Sequence, residues 1–139
     1  MNIRVITLAL ALCLSAFGQF GSSAQAKTAP VSTTVTIPIN TSIMAAGVDL
    51  QGCTPAAIEM PAAWDTANLT FSVASSLSGT YKNVYDEFGS ETTVTAAASR
   101  FIRLSPADWW GMRYLKIRSG TSGTPVTQTA TRTLTIHCR

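Results

Sequence analysis

Charge is scarce in this chain. Only 12% of its 139 residues are Asp, Glu, Lys or Arg, histidine occurs once, and aromatic side chains make up 8%. Each shortage excludes a class of function. The formal net charge of +3 falls to +2 once Arg4 is set aside with the N-terminal segment, leaving 9 Lys+Arg against 7 Asp+Glu. That excess neutralises too few phosphates to argue for nucleic acid as a partner. The single imidazole, His137, is too little for a transition-metal centre. A Ser-His-Asp catalyst needs an oriented base beside a nucleophile, and no G-x-S-x-G signature is present. The chain is therefore read as a non-enzyme with no cofactor, no metal and no catalytic residues, and His137 as an exposed histidine of the last strand.

Long apolar runs are also missing, except at the N-terminus. In MNIRVITLALALCLSAFGQFGSSAQAKTAP, Arg4 is a positive start, Val5 to Phe17 an apolar stretch, and Ala24-Gln25-Ala26 a small-x-small cleavage pattern. This is the layout of a secretory signal peptide over residues 1–26. The run is too short for the ~20 residues of a membrane span, and Leu12 before Cys13 does not suit a lipoprotein anchor. Retention of the segment is the alternative. The expected mature protein is exported, periplasmic or extracellular, without a stable membrane anchor, and has a linker over 27–33 and one domain over 34–139.

Cysteine is nearly absent too, with three in all. Cys13 leaves with the signal, so Cys53 and Cys138 remain as an even pair in an oxidising compartment, where a disulfide is expected. The alternative is two unpaired buried thiols.

What the sequence does contain is short alternating segments. TTVTIPIN places Val35, Ile37 and Ile39 on one face, and Pro38, which lacks a ladder donor, marks an edge strand or strand end. LTFSVAS alternates Leu69, Phe71 and Val73 with Thr70, Ser72 and Ala74, and in TRTLTIHC Leu134, Ile136 and Cys138 share a face. Further strands are read at Val48–Leu50, Ala56–Met60, Tyr81–Tyr85, Glu91–Ala96, Phe101–Leu104 and Tyr114–Arg118. Pro61 to Asp65 reads as a Pro-initiated helical turn. A second turn is read at Ser105-Pro106-Ala107-Asp108, with Ser105 as its cap, Asp108 reaching back and Gly111 as its stop. Seven to nine short strands with frequent turns predict an all-β protein, an antiparallel β-sandwich or jelly roll with one or two short helical turns.

Binding is the better prospect for function. Trp109 and Trp110 are adjacent on one turn, so both cannot point inward, and an exposed indole can stack on a sugar or anchor a protein. Tyr114, Lys116 and Arg118 share a strand face opposite Leu115 and Ile117, with Arg103 and Arg113 nearby, as a basic and aromatic strip for an anionic glycan or partner surface. Core packing of the tryptophans and a merely solvated strip are the competing readings. Asp86, Glu87 and Glu91 fit no calcium loop template and read as a solvated hairpin turn.

The segments MPAAWDTANLTFSVASS, YKNVYDEFGSETTVTAAASRFIRLSP and GMRYLKIRSGTSGTPVTQTATRTLTI resemble small virion-associated proteins of tailed phages and prophages of Gram-negative bacteria, over about residues 34–137. The resemblance implies a structural or surface protein whose partners are other virion or surface proteins, with no enzymatic residues to transfer. More distantly, LTFSVASS, YKNVYDEFG, RFIRL and RYLKIRSG resemble discoidin-like and galactose-binding jelly rolls, which implies glycans as the alternative partner. The signal-like N-terminus and the Cys53/Cys138 pair depart from the phage group. A prophage-derived domain adopted for export, able to oligomerise, reconciles the two.

Overall fold

The structure, a computed structural model, describes residues 31–139; the expected signal peptide and most of the linker lie outside them. The described residues form nine strands and one 3₁₀ turn: β1 (Ser32–Ile37), β2 (Val48–Asp49), β3 (Pro55–Glu59), β4 (Leu69–Ala74), β5 (Lys82–Asn83), β6 (Thr93–Val94), β7 (Phe101–Arg103), the turn Pro106–Trp109, β8 (Tyr114–Ser119) and β9 (Arg132–Cys138). Among the described residues, no helix is long and apolar enough to cross a membrane. β1 begins at Ser32, inside the stretch expected to be linker, because Thr33 already pairs with Ile136.

All named strand pairs are antiparallel, in two sheets. Sheet one runs β1-β9-β3-β7 and sheet two β2-β8-β4-β5, with β6 also pairing on β4. The alternation of the sequence sets which side chains meet. Val35 and Ile37 of β1, Ile58 of β3 and Leu134 and Ile136 of β9 face Leu69 and Phe71 of β4 and Leu115 and Ile117 of β8 in one core. Each such side chain contributes roughly 1.5 to 3 kcal/mol on burial, and together they form the sandwich.

Two local expectations, the helical turn over Pro61 to Asp65 and the Ser105 cap, fail for physical reasons. Pro61 to Asp65 makes no helical turn; instead Trp64 is buried and its indole N–H donates to the Ala67 carbonyl at 2.9 Å. Ser105 stands at the head of the 3₁₀ turn but its side chain makes no capping bond. On β4 the outward Thr70 and Ser72 are as buried as their inward neighbours. Thr70 donates to the Gly120 carbonyl at 2.7 Å, so the face that alternation marks as polar is roofed by loop and by long side chains.

A polar clamp closes the end of the sandwich beside Gln128, which is fully buried. Its amide accepts from the Asp65 N–H and donates to the Ser119 hydroxyl at 2.7 Å. The Asp65 carboxylate accepts from the Thr129 N–H at 2.8 Å and from Arg132 at 3.0 Å. Those contacts, the Thr129 amide first, hold its carboxyl below the ordinary 3.8, and the Arg113 guanidinium does the same for Asp49. Both folded-state values are depressed, so the stabilisation is present above the unfolded value and lost as pH falls through the folded one. Melting temperature is expected to hold down to about pH 5 and drop below about pH 4, with a shallower acid drop in Asp65→Asn. An unchanged melt at about pH 3 would rule this out.

Candidate functional site

Two neighbouring surfaces hold the residues expected to bind. The first is built by the connection between β7 and β8. Pro106 opens the 3₁₀ turn, the Asp108 N–H donates to the Ser105 carbonyl at 3.1 Å, and Gly111, at φ +81°, turns the chain toward β8. At three residues per turn successive side chains diverge widely, and Trp110 has already left the turn with ψ 130°. Trp109 is therefore in the core, 4% exposed, with its ring edge-on to Phe71 at 4.5 Å and 80°. Trp110 is 74% exposed. Trp109, a candidate binding residue by sequence, is thus a packing residue, and Trp110 is the indole available to a partner.

Beside this turn lies an open cleft of about 520 Å³. The edge of Trp109, Met112 and the loop from Gln51 to Thr54, including Cys53, line it. Cys53 is joined to Cys138 with a Cα–Cα distance of 5.4 Å, so the loop that carries β2 of sheet two into β3 of sheet one is stapled to the end of β9. Arg113 forms a two-pronged contact with Asp49 at 2.8 and 2.9 Å, and its carbonyl accepts from the Leu50 N–H at 2.9 Å.

The second surface is the outer face of sheet two. The structure brings Tyr114, Lys116 and Arg118 together there, as their alternation on β8 requires. It also shows that both cations are engaged. The Lys116 ammonium lies 4.9 Å from the Tyr81 ring centre and donates to the Ala45 carbonyl at 2.9 Å. Arg118 reaches across β4 to Glu91 at 3.2 Å and Asn83 at 2.8 Å, and the same carboxylate accepts from the Ser122 N–H and hydroxyl. Arg113 lies 5.1 Å from the Tyr114 ring centre. Burial, with smaller contributions from Tyr114 and Asp49, raises the Tyr81 phenol above its ordinary value. Ser72, whose ladder neighbours are Lys116 and Asn83, is sealed from solvent with no partner for its hydroxyl among the described residues.

Arg103 stands apart from this strip, on β7 of the other sheet. His137 is half-buried rather than exposed, against Glu59 at 3.1 Å and the Phe101 ring at 4.9 Å. Among the described residues no group of three His, Cys, Asp or Glu side chains converges as metal ligands would. One feature escaped sequence reasoning: Phe88, at the tip of the hairpin between β5 and β6, is 86% exposed. Its signal was an aromatic placed between Glu87 and Gly89, with no strand to bury it.

The protein is a disulfide-stapled antiparallel β-sandwich whose surface carries these aromatic and basic side chains. No family model, no curated protein and no solved structure matches the chain.

Proposed function

We propose that this chain is a non-enzymatic, exported surface or assembly protein of phage-derived type, working through contacts with other virion or surface proteins. The observation that carries the reading is Phe88, an aromatic ring held in solvent on a fixed hairpin. Such a ring adds little to the fold, while rigid aromatic anchors dominate binding at protein interfaces. Exposed Trp110, Tyr85 and Phe101 extend the supply of anchors, and the resemblance of residues 34–137 to virion-associated proteins supplies the class of partner. Particles purified from the native host by density gradient are expected to contain the chain, with an intact mass beginning near Lys27. Recovery of the chain only as free protein in periplasm or medium, with none in the particle band, would refute the reading.

A second reading, a glycan-binding module, rests on Ser72. A buried hydroxyl without a partner costs about 1 to 3 kcal/mol, and it lies on the face that carries Tyr81, Tyr114 and Lys116. A sugar hydroxyl would satisfy it on displacing the side chains that seal it from solvent, with a tyrosine ring to stack on the sugar face. A glycan array should then show ligands whose binding weakens about tenfold or more in Tyr114→Ala; an array with no ligand counts against it.

A further inference from the structure

We propose that the Phe88 hairpin of one copy docks into the Trp109 cleft of a second copy, so that the chain assembles head to tail. The inference rests on the assembly reading and names the partner of one contact, a second copy of this chain.

The hairpin is built to present its tip. Tyr85 bridges Glu91, the Asp86 N–H donates to the Ser90 carbonyl at 2.8 Å, and Gly89 takes φ +82°. One oxygen of Asp86 accepts from the N–H groups of both Phe88 and Ser90, at 2.9 and 2.8 Å. At its base Glu91 is fixed to Arg118 and to Ser122. A loop already ordered in this way loses little freedom on binding, and what it offers is the phenyl ring of Phe88 with half-exposed Tyr85 beside it.

The cleft has the complementary form. Its volume of about 520 Å³ lies within the roughly 300–1,000 Å³ of ordinary ligand sites. The space over Gly52 and Gly111 is open, with no atom within 4 Å of where a side chain would begin. Trp109, Met112 and the disulfide supply apolar surface. The indole N–H of Trp64 has an acceptor in Ala67, whereas that of Trp109 has none among the described residues and can take a carbonyl or carboxylate from an incoming loop.

Charge agrees with shape. Asp86 and Glu87 at the tip form no ion pair among the described residues. At the cleft, Arg113 has a side chain 57% exposed and spends Nε and Nη2 on Asp49. Its Nη1 remains for a carboxylate.

Topology decides whose hairpin fills whose cleft. In the order β2-β8-β4-β5 the cleft borders the β2 edge, where Leu50 bonds Arg113, and the hairpin leaves from the opposite edge, beyond β4. One copy cannot satisfy itself. The contact joins two different patches, so it repeats until it closes as a ring or runs on as a filament.

Sedimentation of the full exported chain across a concentration series tests this. The parent is expected to form species larger than a dimer. Phe88→Ala, which lacks the tip, and Thr54→Trp, which fills the cleft, should each sediment as monomers with unchanged circular dichroism. Mixed in equal amounts they should form a dimer and nothing larger, because each supplies the part the other lacks. Glu87→Lys should weaken assembly about tenfold or more. If Thr54→Trp does not fold, Met112→Trp takes its place in the mixture. A parent that stays monomeric at about 1 mM, a Phe88→Ala variant that assembles like the parent, or a mixture that yields no dimer would each overturn the proposal. Association with particles by a chain that fails these tests overturns the self-contact alone and leaves the assembly reading standing.

Discussion

Replacing Trp109 with alanine is expected to cost about 3 to 5 kcal/mol of folding stability, while the same change at Trp110 should stay within about 0.5 kcal/mol. The two residues are adjacent and chemically identical, so the contrast isolates burial. Trp109 is edge-on to Phe71, a fully buried ring of β4, and it closes the core beneath the β7–β8 connection. Its removal leaves a cavity where side chains from both sheets meet, and the surrounding strands cannot collapse to fill it without breaking their ladders. Trp110 touches solvent over most of its surface. Denaturant melts of the two single variants decide the matter, and equal losses in both would contradict the assignment of one to the core and one to the surface.

Removing the disulfide should be the other large effect. Cys53 and Cys138 are separated by 85 positions, and chain-entropy estimates for loops of that size are about 4 to 5 kcal/mol. A domain of this length is stable by only about 5 to 15 kcal/mol. The Cys53→Ser/Cys138→Ser variant is therefore expected to lose a large share of its stability and to populate unfolded chain at moderate denaturant. Alkylation of the parent without reduction should label neither Cys53 nor Cys138. A double variant within about 1 kcal/mol of the parent would show that the packed strands already supply what the bridge is expected to add.

The strands that alternate strictly were legible because half of each lies against the core. β1, β4, β8 and β9 stand within a residue or two of where Val35/Ile37, Leu69/Phe71, Leu115/Ile117 and Leu134/Ile136 place them. The cysteine pair was legible for a different reason, since once Cys13 is set aside with the expected signal peptide only one partnership remains. The candidate strip was half legible. Alternation put Tyr114, Lys116 and Arg118 on one face, but nothing local shows that Glu91 and Asn83, distant in sequence, occupy Arg118. Gln128 is the plainest miss. It sits in a Thr-rich stretch that reads as loop, and only the folded chain shows it fully buried between Asp65 and Ser119. β5 and β6 shrink to two residues each because the chain leaves the sheet edge between them to build the Phe88 hairpin.

The place of β1 in the sheet has a consequence for the order of events during folding. Its named strand partner is β9, with Ser32 opposite His137 and Ile37 opposite Arg132. A chain emerging N-terminus first, from a ribosome or across a membrane, presents β1 at once and then holds it without its partner until β9 arrives. The same wait applies to the staple, because Cys138 ends β9. Successive strands also alternate between the two sheets over most of the chain, so few pairings are local and the search for them is slow, on the millisecond-to-second scale typical of such topologies. During that interval the edge of β1, with Val35 and Ile37 not yet covered, is open to pairing with other chains. Completion of sheet one and of the staple therefore waits for the arrival of the last strand.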